Sequence, residues 1–283
     1  MTQRESTPPC HSPIIAFIGG GNMARSLIGG LLARGAAAAS LRVAEPNASA
    51  REALTREFGV ATFDDNARAV ADADIWLLAV KPQVMASVCT GLRASAVAGR
   101  ATVVSIAAGI SSAQIDAWLG GGQAVVRCMP NTPALLGAGV TGVYANPRVS
   151  TTARARVMDL MAAVGHSVAI DDETLMDAVT AVSGSGPAYV FALAEAWQAA
   201  AQAQGLPAEA ARTLVNQTIL GAARMLIESG ESATTLRQRV TSPGGTTQAA
   251  LESLRAGDFD ALFARAIAAA TRRGAELAAA ASV

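Results

Sequence analysis

The stretch that most constrains the fold is residues 14–32, IIAFIGGGNMARSLIGGLL, where five apolar residues run into a glycine cluster and then into a helix-period pattern. The five apolar residues do not alternate with polar ones, as is typical of a parallel strand buried on both faces. Apolar residues then recur at helical spacing from Met23 to Leu32, and Gly35 follows where a helix would end. We therefore predict a strand, a tight loop and a helix in this order.

The predicted loop carries Gly19, Gly21 and Ala24, which fit the G-x-G-x-x-A fingerprint of dinucleotide-binding folds. The first glycine permits the turn, the second lets the backbone approach a pyrophosphate, and the small third residue lets the helix lie close. The N-terminus of the helix offers free N–H groups to that anion. The sequence therefore predicts a nucleotide site here.

Two charged residues bear on the choice of coenzyme. Glu45 follows a short predicted strand at residues 41–44, where a carboxylate can bind the ribose hydroxyls and repel a 2′-phosphate. Arg51 lies six residues further on and could accept that phosphate. These residues leave both NADH and NADPH open.

Composition excludes several classes of function. The 283 residues carry 22 basic and 22 acidic side chains and only 4% aromatic residues, which predicts no binding of nucleic acid or of a membrane surface. Three cysteines without C-x-x-C spacing indicate neither a disulfide framework nor a metal site, and we expect a cytoplasmic protein. The polar, proline-containing residues 1–13 predict a flexible tail, not a signal peptide.

Three further apolar runs predict buried strands, at residues 75–80, 102–106 and 124–128. The first run leads into Lys81, and the second into small residues at 107–109, which would let a flat ring lie close to the backbone. The third leads into MPNTP. Because the carboxyl ends of parallel strands meet at one edge of a sheet, these loops predict one site.

The pattern changes at Asp171, where long alanine-rich segments with helical spacing begin. We predict a dinucleotide-binding domain over residues 14–170 and a helical domain over residues 171–283. The predicted helices cover residues 171–182, 187–204, 208–228, 246–254 and 258–280. Two breaks, SGSGP at 183–187 and SPGGTT at 242–247, place glycines and hydroxyls ahead of helices, where backbone N–H groups could bind a carboxylate or simply form capped turns.

The predicted helical domain contains neither lysine nor histidine, the usual general bases, since Lys81 is the single lysine and the two histidines are His11 and His166. Oxidising an alcohol requires such a base. Reducing a C=N bond does not, because the nitrogen arrives protonated and needs a hydride donor and an oriented hydrogen-bond partner such as Thr247. An imine reductase is therefore favoured over two alternatives, a β-hydroxyacid dehydrogenase and a nucleotide sensor without catalysis.

Six motifs in order make the chain resemble the pyrroline-5-carboxylate reductase family. They are FIGGGNMA at 17–24, LAVKPQ at 78–83, VSIAAG at 104–109, RCMPNTPA at 127–134, AVSGSGPAY at 181–189 and SPGGTTQAALESL at 242–254. The resemblance implies an N-terminal Rossmann-type doubly wound sheet, a C-terminal helical dimerisation domain, and reduction of L-1-pyrroline-5-carboxylate to L-proline with NADPH or NADH. The chain departs from the family pattern in having LRQRV at 236–240, where L-K-D-x-V is frequent, and in Glu45.

The residues and the resemblance together predict the members of the site. The predicted coenzyme-binding residues are Ile18, Gly19, Gly20, Gly21, Asn22, Met23, Ala24, Glu45, Asn66, Ala79, Val80, Lys81, Pro82 and Ala107. The predicted substrate-binding residues are Met129, Asn131, Ser183, Ser185, Gly186, Pro187, Gly244, Gly245 and Thr246, with Thr247 as the catalytic hydroxyl. Similar proteins bury their helical domains against a partner chain, which implies a homodimer and leaves a decamer of five dimers open.

Overall fold

The computed structural model describes residues 13–280, so nearly all of the predicted tail lies outside the described residues. The strands are β1 (Ile15–Ile18), β2 (Leu41–Ala44), β3 (Ala61–Phe63), β4 (Ile75–Leu78), β5 (Thr102–Ser105), β6 (Val125–Met129), β7 (Gly139–Ala145) and β8 (Gly165–Ile170). The helices that accompany them are α1 (Asn22–Ala33), α2 (Ala48–Phe58), α3 (Asn66–Val70), α4 (Pro82–Ala98), α5 (Ser112–Trp118) and α6 (Thr151–Ala162). The helices that follow are α7 (Met176–Val179), α8 (Gly186–Ala203), α9 (Ala208–Glu228), α10 (Ala233–Arg239), α11 (Thr246–Ala256) and α12 (Phe259–Ala280).

The eight strands form one sheet in the order β3-β2-β1-β4-β5-β6-β7-β8. Neighbouring strands are parallel except β6 and β7, which are antiparallel. The strand order reverses between β1 and β4, and in open α/β sheets ligands bind outside the carboxyl ends of the strands at such a reversal. The predicted Rossmann-type doubly wound sheet is confirmed, and its switch point lies beside the glycine loop.

Two hydrophobic cores lie on the two faces of the sheet, which explains why β1 and β4 read as unbroken apolar runs. Ile15 and Phe17 of β1 belong to one core, with side chains of α1, α2 and α6. Ala16 and Ile18 belong to the other, with side chains of α3, α4 and α5. Burial on both faces fixes the register of β1 and therefore the position of the loop that follows it.

The helical region differs from the prediction at its start. In place of one helix over residues 171–182, the chain forms a 3-10 turn (Glu173–Leu175), the short α7 and a π-helical turn (Thr180–Gly184). Helix α10 was not predicted, because its seven residues are too few to show a clear helical period. A π turn inserts one residue into a helix, and such turns are frequent at functional sites.

The described chain forms two compact units, residues 13–184 with 270–280, and residues 185–269. The domain boundary predicted at residue 170 stays a prediction.

Within the second unit, α8 has 18 residues and buries none of them, and large apolar side chains such as Phe191, Leu214 and Ile227 are exposed. No described helix is both long enough and apolar enough to cross a membrane.

Candidate active site

The glycine loop after β1 has a backbone that only glycine can adopt at its first position. Gly19 has φ +101°, and a Cβ there would lie 2.8 Å from the carbonyl oxygen of Ala79. The Gly19 N–H donates to the carbonyl of Ala44 at 2.8 Å. The loop is therefore held between the ends of β2 and β4, as the fingerprint predicts.

Gly21 leaves the N-terminus of α1 open. It is the N-cap residue of a helix of 12 residues, and no side chain caps the first turn. Among the described residues, no heavy atom other than those of Gly21 and its two chain neighbours lies within 4 Å of where a Cβ on Gly21 would be, whereas Ala24 one turn later is fully buried. Free N–H groups beside open space fit the pyrophosphate of a dinucleotide, so this end of the site suits the predicted coenzyme.

Glu45 and Arg51 both belong to the loop that follows β2. The Glu45 carboxylate accepts hydrogen bonds from the N–H groups of Gly20, at 3.1 Å, and Asn47, at 3.0 Å. Arg51 Nη1 donates to the carbonyl oxygens of Glu45 and Pro46, each at 2.8 Å. The carboxylate is therefore fixed against the glycine loop, and the guanidinium is tied to backbone oxygens of the same loop.

The remaining coenzyme positions predicted from the sequence occupy the ends of neighbouring strands. Lys81 is the exposed N-cap residue of α4, directly after β4, and its side chain makes no capping bond. Ala107 follows β5, which pairs with β4 in parallel, and its N–H donates to Ser105 Oγ at 3.3 Å. Asn66 opens α3 after β3. The structure thus brings these positions to the carboxyl edge on either side of β1.

The loop after β6 contacts the π turn. Asn131 Nδ2 donates to the carbonyl oxygen of Ser183 at 3.1 Å. A Cβ on Gly184 would lie 2.5 Å from Met129 Cε, so only glycine fits there without displacing the methionine. The Ser183 hydroxyl donates to the carbonyl oxygen of Val179, so its hydrogen is already used in a local bond. The break predicted at 183–187 is shorter than expected, since its first two residues end the π turn and α8 begins at Gly186.

In the second unit, α11 begins with an uncapped first turn. Its N-cap is Gly245, which offers no side chain, and Thr246 and Thr247 are the first two helical residues. Gly244 has φ +70°, and its N–H donates to Gln248 Oε1 at 2.8 Å. Within the described residues the half-buried Thr247 hydroxyl makes no hydrogen bond. This turn can offer backbone N–H groups and one hydroxyl to a small acid.

One cluster beside these loops was missed at the sequence level. Glu173 accepts hydrogen bonds from Arg127 and from the backbone and hydroxyl of Ser112. Burial raises the pKa of nearby Tyr144, and the negative charges of Glu173 and Asp172 raise that pKa further. The signal in the sequence was an arginine inside the apolar strand VVRCM, because a buried guanidinium requires a partner.

The two described cysteines offer no nucleophile. Burial raises the pKa of the Cys89 thiol to about 12, and it raises the pKa of Cys128 as well. Both thiols are therefore protonated at neutral pH, and a thiol is a far weaker nucleophile than a thiolate.

Comparisons with known proteins decide the family. The family model described as pyrroline-5-carboxylate reductase dimerisation matches residues 173–277, and one described as coenzyme F420-dependent NADP oxidoreductase matches residues 14–109. The pyrroline-5-carboxylate reductase of Pseudomonas aeruginosa is 52% identical over 267 residues, which cover 94% of this chain and 97% of that protein. The chain belongs to the pyrroline-5-carboxylate reductase family. The resemblance read from the six motifs is confirmed.

Solved reductases of this family share the whole fold. The structure from Coxiella burnetii has a TM-score of 0.92 and 40% identity, covering 94% of this chain and 99% of that one. The structure from Plasmodium falciparum, with NADP bound, has a TM-score of 0.82 and 28% identity, covering 94% of this chain and 98% of that one. The predicted combination of a Rossmann-type sheet and a helical dimerisation domain is confirmed.

Proposed function

We infer that the protein is an NAD(P)H-dependent oxidoreductase that reduces L-1-pyrroline-5-carboxylate to L-proline, the final step of proline biosynthesis. The observation that carries this inference is the 52% identity to the Pseudomonas aeruginosa reductase across 94% of the chain. The β-hydroxyacid dehydrogenase alternative would need a base near the start of the helical region, and α8 contains neither lysine nor histidine. Family membership and residue chemistry favour the same reaction.

For the coenzyme, we propose that the predicted residues act as three groups. The first turn of α1, from Gly21, binds the pyrophosphate, and Glu45 binds the adenosine ribose. The strand ends at Lys81 and Ala107 border the nicotinamide half. When bound, the reduced nicotinamide supplies a hydride to the imine carbon. The protein's contribution is to hold donor and acceptor at reacting distance, which accounts for a large part of the rate of a bimolecular step.

For the substrate, we propose that the first turn of α11 binds the carboxylate through its backbone N–H groups. The Thr247 oxygen accepts a hydrogen bond from the protonated ring nitrogen and so fixes the C=N bond in one orientation. Because the nitrogen keeps its proton and becomes the amine of the product, no side chain has to remove or deliver one. Gly186 and Pro187, with Ser185, are proposed to line the same substrate.

The experiment that tests the reaction is a steady-state assay of pyrroline-5-carboxylate with NADPH and NADH in parallel. We expect oxidation of coenzyme that depends on the imine, and no reduction of NAD⁺ or NADP⁺ by 3-hydroxy acids. Coenzyme binding without turnover of any cyclic imine would instead support the sensor alternative.

The variant Glu45→Gln should change coenzyme preference. It keeps the size of the side chain and an acceptor for the glycine loop but removes the negative charge that repels a 2′-phosphate. We expect the ratio of kcat/KM for NADPH to that for NADH to rise about tenfold, equivalent to about 1.4 kcal/mol. An unchanged ratio would remove Glu45 from coenzyme selection. Glu52→Gln, on the next helix, is the matched charge control.

The helical unit supports assembly into an oligomer, and we propose a homodimer, with five dimers forming a decamer as the larger alternative. Its support is the dimerisation family model over residues 173–277 and the absence of any buried residue in α8 of the described chain. Large exposed apolar surface of this kind is typical of obligate interfaces. Light scattering should give at least twice the 28.6 kDa chain mass. We also propose that the protein is located in the cytoplasm.

A further inference from the structure

The segment of residues 173–184 contacts the start of α5 and the loop after β6. The loop of residues 106–111, which carries Ala107 and ends at α5, is called the coenzyme loop below. The segment follows β8 and contains the 3-10 turn, α7 and the π turn. Its middle lies against β7, where a Cβ on Gly142 would be 2.5 Å from Val179 Cγ1. Its two ends are held by side chains of other elements. What holds each end determines where the Ser183–Gly184 turn lies relative to the coenzyme loop.

The first end is fixed by the Glu173 carboxylate. Oε1 accepts from the Ser112 N–H at 2.6 Å and from Arg127 Nη1 at 2.9 Å, and Oε2 accepts from the Ser112 hydroxyl at 2.6 Å. The Arg127 side chain is 10% exposed and that of Glu173 22%. Ser112 begins α5, directly after the loop that carries Ala107. Glu173 therefore ties the 173–184 segment to the end of the coenzyme loop.

The second end is fixed by Asn131. Nδ2 donates to the Ser183 carbonyl, and Oδ1 accepts from the Val140 N–H at 3.0 Å. The residue is 9% exposed. Both ends of its amide thus already have protein partners, which is the arrangement of a structural bridge between β7 and the π turn. The neighbouring contact of Met129 with Gly184 closes the same junction.

An ion pair buried to this degree is weak evidence for stability, because the cost of desolvation offsets much of the attraction. Its directional hydrogen bonds instead specify one arrangement of the loops. Hydride transfer is sensitive to such placement, since a shift of about 1 Å can cost on the order of a hundredfold in rate. A cluster that fixes two loops at once therefore acts on the rate of the chemical step.

We propose that Glu173 and Asn131 are positioning residues, and that Glu173 acts through its bonds to Arg127 and Ser112. Together they hold the Ser183–Gly184 turn at a fixed place relative to the coenzyme loop. In this role neither Glu173 nor Asn131 has to touch the reacting atoms. The proposal rests on the proposed reductase function and assigns Asn131 to the protein scaffold in place of the substrate contact predicted from the sequence.

The test compares Glu173→Gln with Asp171→Asn in the full-length protein. Asp171 lies two residues earlier and forms an exposed ion pair with Arg154 at 2.7 Å, so its variant removes the same charge from the same stretch of chain. Four quantities are measured: the coenzyme Kd by fluorescence titration, kcat, KM, and the single-turnover rate of hydride transfer per coenzyme-binding site.

For Glu173→Gln we expect the hydride-transfer rate and kcat to fall about tenfold, with coenzyme Kd changed less than about twofold. Asp171→Asn should match the wild type in all four quantities. Asn131→Asp, which places a carboxylate oxygen against the Ser183 carbonyl, should repeat the loss. A role confined to stability would lower the melting temperature and leave the rate per binding site unchanged.

Wild-type hydride-transfer rates in Glu173→Gln and Asn131→Asp would overturn the positioning role. If Glu173→Gln does not fold, the hydride-transfer rate is measured instead in two single variants, Asn131→Asp and Ser112→Ala. Ser112→Ala removes only the bond between the serine hydroxyl and Glu173. Wild-type rates in both would overturn the positioning role. Failure of the wild type to reduce pyrroline-5-carboxylate would instead count against the proposed function, so the two failures are distinguishable.

Discussion

Thr247→Ala is expected to lower kcat for pyrroline-5-carboxylate by about ten- to a hundredfold, equivalent to about 1.4 to 2.7 kcal/mol of transition-state stabilisation. The reason is that the hydroxyl has no hydrogen-bond partner within the described part of the chain and stands in the uncapped first turn of α11, where it can meet the ring nitrogen. Coenzyme affinity should stay near that of the wild type. Steady-state kinetics at saturating coenzyme, with a separate coenzyme titration, measure both quantities.

The controls for Thr247 separate the hydroxyl from the shape of the side chain. Thr247→Ser restores the hydroxyl and should recover most of the activity. Thr218→Ala removes a hydroxyl that donates to the Leu214 carbonyl on α9, and it should leave kcat unchanged. An alanine variant at position 247 with the wild-type kcat/KM would remove Thr247 from the mechanism.

Gly21→Ala should weaken coenzyme binding by roughly a hundredfold, or about 2.7 kcal/mol, while the protein stays folded. In the described part of the protein no heavy atom beyond the two neighbouring residues lies within 4 Å of the added methyl group, and the backbone at φ −69° and ψ −177° suits alanine. The methyl group would instead fill the space through which the pyrophosphate reaches the N–H groups of α1. Fluorescence titration gives the affinity, and thermal unfolding shows that the melting temperature is kept.

Gly19→Ala provides the contrast to Gly21→Ala. Its φ of +101° and the 2.8 Å approach to the Ala79 carbonyl make alanine strained in the free protein, so this variant should lose stability as well as binding. A Gly21→Ala protein that binds NADPH and NADH like the wild type would show that the dinucleotide does not lie against α1.

The parts of the fold predictable from sequence are those with a strong local signal. Residues 14–32 carry such a signal, because burial of β1 and α1 and the restricted backbone of the glycine loop each leave a pattern in this short stretch. The strand ends at Lys81 and Ala107 follow from the same reasoning, since parallel strands place their ends at one edge. The six motifs then indicated the family without any knowledge of the tertiary contacts.

The parts that escaped prediction depend on contacts distant in sequence. Glu173 contacts Ser112 across 61 residues and Arg127 across 46. The arginine inside an apolar strand indicates that it has a partner, but nothing near it in sequence identifies that partner as Glu173. The π turn at 180–184 lies where Val179 packs beside Gly142 and Gly184 packs beside Met129, contacts that helical periodicity does not reveal, so the sequence predicted a plain helix and a loop. The antiparallel direction of β7 likewise depends on its pairing with β6, and the composition of β7 does not indicate it.

The most direct measurement is a single turnover of the coenzyme-loaded protein mixed with pyrroline-5-carboxylate, with the product separated by chiral chromatography. The account predicts one proline of the L configuration for each reduced coenzyme consumed, with NADPH or NADH as donor. Coenzyme that is bound at stoichiometric amounts but is not consumed on addition of the imine would contradict it.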